Sequence, residues 1–128
     1  MRINDNTIAY HSILWVAQDV AGHIIIALSN EGEIPAFVKE NEEHTEQVAR
    51  VFSDLCAVDR NRQLDLDLLT GKGYFCYVND DPYEGKRYHL IAKPENPVNI
   101  CDLDEKMQIL LQNQMLNFNA QSDDYFTF

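Results

Sequence analysis

Between Ile8 and Val16 the chain alternates without leaving a polar side. Ile8, Tyr10, Ser12, Leu14 and Val16 fall on one side of an extended backbone, and Ala9, His11, Ile13, Trp15 and Ala17 on the other; both rows are largely apolar. Such a strand is expected to be covered on both faces. The polar segment Gln18-Asp19-Val20-Ala21-Gly22 then turns the chain into His23–Leu28, whose β-branched run suits a central strand. The two are expected to pair as an antiparallel hairpin. Ser29-Asn30-Glu31-Gly32-Glu33 is a second turn cluster, and Ile34–Val38 reads as a short third strand that Pro35 confines to an edge or a strand start.

From Asn41 the period lengthens from two to about 3.6. Val48, Val51, Phe52 and Leu55 make one apolar stripe, Asn41 is the expected N-cap, and Glu42, Glu43 and Glu46 lie early, where the helix dipole favours negative charge. Residues 60–69 fit a strand or a short helix closed by Gly71, with the helix preferred. Tyr74–Val78 and Arg87–Ala92 read as a second antiparallel hairpin across the turn-rich loop 79–85. Asp102 and Glu105 resemble a capping box ahead of a second long helix running from Leu103 to Phe118, and residues 119–128 read as a docked tail or last strand. The expectation is one α+β domain over residues 1–128, with a mainly antiparallel sheet of about four to six strands in two hairpins, packed against two main helices.

Charge decides which partners are plausible. The chain carries 21 acidic against 10 basic side chains, a net charge of −11, and this repels phosphate backbones and anionic membrane surfaces. The longest apolar run, Ile24–Leu28, falls far short of the roughly 20 residues of a membrane span, and the first residues lack the apolar core of a signal peptide. Cys56, Cys76 and Cys101 are odd in number and widely spaced, as in reduced thiols. The chain therefore reads as cytoplasmic.

Catalytic signatures are weak. His11, His23, His44 and His89 show no metal-ligand spacing. Cys76 and His89 share the second hairpin and are the candidate nucleophile and base, but Cys76 lies between Phe75 and Tyr77, where a thiol behaves as a small core residue. Asp65 with Asp67, and Asp80 with Asp81, read as solvated rather than as an acid and base of separated pKa. Gly71-Lys72-Gly73 is not a phosphate-binding loop. No catalytic residue, cofactor or metal is expected.

What remains is an uneven charge distribution. Glu31, Glu33, Glu40, Glu42, Glu43 and Glu46 face the single cation Lys39 within one stretch, and Asp80, Asp81 and Glu84 form a weaker set in the second hairpin loop. Such a surface is either a solvated face or a docking surface that steers a basic protein partner.

Two blocks of sequence carry a resemblance. Trp15-Val16-Ala17, Asp19, Gly22-His23-Ile24, Ser29, Gly32 and Ile34-Pro35 form the first, and Gly73–Tyr77 with Tyr88–Pro94, Pro97 and Leu103 the second. Together they resemble small bacterial immunity-type proteins encoded beside polymorphic or contact-dependent growth inhibition toxins. Val78-Asn79 departs from that pattern, which has an Asp after the Tyr. The resemblance implies a non-enzymatic inhibitor that occludes a cognate toxin domain; the chain itself is expected as a monomer or weak homodimer. The acid surplus points independently to a basic, nuclease-type target. The alternative is a small ligand-binding or enzymatic α+β domain with a pocket lined by Trp15, Tyr74, Tyr77 and Tyr88.

Overall fold

In a computed structural model, which describes residues 2–5, 8, 12–30, 32–54, 58–59, 64–79 and 85–128, the double-sided apolar run forms β1 (Ser12–Gln18). It pairs antiparallel with β2 (Ile24–Asn30), with Trp15 opposite Ala27. Ile8 is not part of the strand, since its N–H closes a turn onto Asn4 O at 3.2 Å.

After β2 come α1 (Ala36–Lys39), α2 (Glu42–Ser53), the two-residue β3 (Val58–Asp59) and α3 (Leu66–Gly71). Then follow β4 (Phe75–Asn79), β5 (Tyr88–Ala92), a 3-10 turn (Ile100–Asp102), α4 (Glu105–Leu111) and β6 (Tyr125–Phe126). The fold is α+β, and the strands form one mixed, mostly antiparallel sheet in the order β3-β1-β2-β4-β5-β6. Both expected hairpins are present. Between them β2 and β4 run parallel, Ala27 beside Tyr77, so the chain must cross over through α2 and α3.

The sheet separates two cores. Leu14, Val16, Ile26, Cys76 and Val78 lie on one face, under Val48, Ala49 and Phe52 of α2, Leu69 of α3 and Leu110 and Leu111 of α4. Ile13, Trp15, Ala17, Ile25, Tyr77 and Tyr88 lie on the other, under Val38 of α1 and the C-terminal Leu116, Ala120 and Phe126. β2 and β4 are buried along almost their whole length, as central strands with two covered faces should be.

Three further expectations are corrected. Ile34–Val38 is not a strand: β2 already has β1 and β4 on its two sides, and Pro35 instead opens α1, where its fixed φ and missing N–H cost nothing. Its carbonyl accepts from the N–H groups of Val38 and Lys39, both at 3.0 Å. The capping residue of α4 is Asp104, whose Oδ1 accepts from Met107 N at 2.9 Å, while Asp102 belongs to a capping box with Asn99 on the 3-10 turn. Finally, α4 ends at Leu111 instead of continuing to Phe118. Residues 114–116 are drawn onto the outer edge of β1: Gln18 N–H donates to Gln114 O and Leu116 N–H to Gln18 O, both at 2.8 Å. The Gln114 side-chain amide donates to Val16 O at 2.6 Å.

Asn41 caps α2 as expected, accepting from His44 N at 3.0 Å. Residues 66–71 are helical, and Leu55, Cys56 and residues 60–63 lie outside the described residues. The tail ends as β6, with Phe126 stacked on Tyr88 at 5.1 Å between ring centroids.

Candidate functional site: an acidic turn beside a groove

Asp19 fixes the first hairpin turn. Its carboxyl group is fully buried; Oδ1 accepts from Ala21 N (3.0 Å) and His23 N (2.8 Å), and Oδ2 accepts from Ala120 N (2.8 Å) and lies 2.7 Å from His23 Nδ1. A carboxylate acceptor requires the ring proton on Nδ1. The group thus joins the β1–β2 turn to the C-terminal segment. Gly22 adopts φ +85° and presses on the Asn99 side chain, which itself donates to Ala21 O at 2.7 Å. Within the first resembling block, Asp19, Gly22 and His23 are therefore architecture.

The second turn meets the second hairpin at the other end of the sheet. Ser29 Oγ donates to Gly32 O at 3.1 Å, and Gly32 packs so closely on Asn79 that a Cβ there would lie 2.5 Å from Asn79 Cγ. Asn79 Nδ2 donates to Gly85 O at 2.6 Å, and Glu33 N–H donates to the same oxygen at 3.1 Å. The carbonyl of Glu33 accepts from the Tyr88 hydroxyl at 2.6 Å. Tyr88 in turn accepts from Trp15 Nε1 at 3.2 Å. Both backbone polar groups of Glu33 are therefore held, while its side chain stands exposed.

Beside this turn opens a groove of about 800 Å³ whose lining includes Glu33, Ile34, Phe37, Glu40, Lys86 and Phe128. Phe37 and Phe128 meet Trp15 edge-on, at 6.0 and 6.4 Å between centroids. Lys39 and Asp5 also line the groove and lie 4.0 Å apart. Arg2 reaches Asp5 at 3.5 Å and Glu40 at 3.9 Å.

The expected acidic residues divide around the sheet. Glu33 and Glu40 share the groove, on the side that carries α1. Glu42, Glu43 and Glu46 occupy the first turns of α2, which packs on the opposite face, and Glu46 lies 3.4 Å from Arg50. Glu31, Asp80, Asp81 and Glu84 lie outside the described residues. Asn79 and Gly85, which flank that loop, both contact the 32–33 segment. Sequence reasoning missed Phe37, Lys86 and Phe128 as groove residues. Their hydropathy and charge are ordinary, and only the fold brings them together.

The thiol and aromatic candidates are core residues. Burial pushes the Cys76 thiol up to about 12, the reverse of what a nucleophile needs. Trp15, Tyr77 and Tyr88 are fully buried on one face, and Tyr74 is buried on the other. Packing with Phe118, Phe126 and Phe128 fills the space a pocket between them would need. Among the described residues no group of three His, Cys, Asp or Glu could hold a metal ion, and no helix is long and apolar enough to cross a membrane.

Fold and site together define an α+β domain that, among the described residues, carries a groove bordered by Glu33 and Glu40 at one end of a doubly covered sheet. Compared with known proteins, the chain matches no protein-family model, and no curated protein or solved structure matches it.

Proposed function

We propose that the chain is an immunity-type protein, a cytoplasmic, non-enzymatic inhibitor that binds a basic toxin domain and covers its active site with the acidic surface around the Glu33 turn. The observation that carries this reading is the held backbone of Glu33 beneath an exposed carboxyl group, on a chain of net charge −11. A carboxyl carried on a held backbone can stand in for a substrate phosphate in a cationic cleft without ordering the turn's backbone on binding. The resemblance of the two sequence blocks to immunity-type proteins supports the same conclusion.

The test is co-expression with the product of the adjacent reading frame, followed by purification of the chain in moderate salt. A stoichiometric complex with a basic domain, whose association slows on the order of tenfold as salt is raised, is the expected result. Recovery of the chain alone, with that domain demonstrably expressed, overturns the reading.

A further inference from the structure

Three carboxyl groups line the groove, and two are already met by cations: Asp5 by Arg2 and Lys39, and Glu40 by Arg2. Glu33 has no ion-pair partner among the described residues. Lys86, the other cation of the lining, stands over the Phe128 ring at 5.9 Å from its centroid. The groove therefore combines a carboxyl that has no ion-pair partner among the described residues, on a held backbone, with an apolar wall of Ile34, Phe37 and Phe128.

We infer that this groove takes an arginine flanked by a bulky apolar side chain, presented by the basic partner, with Glu33 receiving the guanidinium. The inference rests on the inhibitory reading above and names the contact that would carry it. Arginine fits better than lysine, because its planar fork can bond a carboxylate through two parallel N–H groups, where an ammonium offers only a point charge. The apolar neighbour covers Ile34 and Phe37, and the Glu33 backbone is already held, so the turn need not be ordered on binding.

The probe is N-acetyl-phenylalanyl-arginine amide, titrated into the full ¹⁵N-labelled chain, with the dipeptide carrying neutral citrulline in place of arginine as control. Saturable shifts of the Glu33, Phe37 and Phe128 amides are expected with arginine and not with citrulline, and Glu33→Gln should abolish them. That side chain is exposed and forms no ion pair among the described residues, so the variant spectrum should otherwise superimpose. No saturable shifts, shifts spread over the acidic surface at large, or shifts unchanged in Glu33→Gln would each overturn the inference. The two readings fail separately: a toxin complex whose affinity Glu33→Gln leaves unchanged removes the groove contact and keeps the inhibitor. Dipeptide binding without any toxin complex does the reverse.

Discussion

The Tyr88 hydroxyl donates to Glu33 O at 2.6 Å while accepting from Trp15 Nε1 at 3.2 Å, so a fully buried indole is wired to an exposed acidic turn through one phenol. Tyr88→Phe keeps the ring stacked on Phe126 but leaves the Trp15 N–H and the Glu33 carbonyl without this partner. The expected loss is about 1–3 kcal/mol of stability, read as a lower urea midpoint at unchanged slope, with faster amide exchange at Glu33.

Asp19 should act on two distant segments at once. Asp19→Asn puts an NH₂ where one carboxyl oxygen now accepts, so that either the Ala120 N–H or both turn N–H groups, of Ala21 and His23, lose their acceptor. A destabilisation of about 2 kcal/mol or more is expected, together with accelerated exchange at both Ala21 and Ala120. Exchange confined to the turn would mean that the tail is held by its aromatics alone.

Gly71 and Gly73, two residues apart, should respond oppositely to alanine. Gly73 has φ +91°, and a Cβ there would stand 2.7 Å from Val98 N, a backbone atom that cannot swing aside. Gly71 lies at the end of α3 with nothing within 4 Å of its would-be Cβ. Gly73→Ala should cost more than about 1 kcal/mol, whereas Gly71→Ala should be neutral or gain about 0.4–1 kcal/mol. Thermal melts of the two variants decide it.

Alkaline pH should unfold the chain from within. Burial raises the Cys76 thiol from 9.0 to about 12 and the Tyr88 phenol from 10.0 to about 12; Tyr77 is raised by burial and by the charges of Asp123, Asp19 and Asp124. Between their unfolded and folded pKa values the native state holds more protons than the unfolded one, so stability falls as pH rises. It should be complete below pH 9 and decline towards pH 12, with phenolate absorbance of Tyr77 and Tyr88 appearing only with loss of structure. At pH 8, in a Cys56→Ser background, a thiol reagent should modify exposed Cys101 and spare Cys76.

Elements whose signal is local were legible in the sequence. The β1–β2 hairpin follows from alternation and a β-branched run, and α2 from its stripe and from Asn41 as cap. Elements decided by distant partners were not. Ile34–Val38 carries strand-forming residues, yet whether a place beside β2 is free depends on β4, some forty residues further on. The pattern for α4 continues past Leu111, but bonding to β1 competes for residues 114–116 and prevails. The site divides in the same way: Glu33 and Glu40 were readable as charges, whereas their meeting with Phe37 and Phe128 depends on where the tail docks.

The Gln114 amide on Val16 O has a consequence for how this sheet can meet other chains. Beyond the two residues paired with β3, the outer side of β1 is engaged at Val16 and Gln18 by residues 114–116, and the opposite border of the sheet is the two-residue β6. An extended segment, whether from a second copy or from a misfolded neighbour, finds no long free ladder on the described borders. Accretion by strand addition is therefore disfavoured. On those borders, contact with another chain falls to turns and side chains instead of to lengthening the sheet.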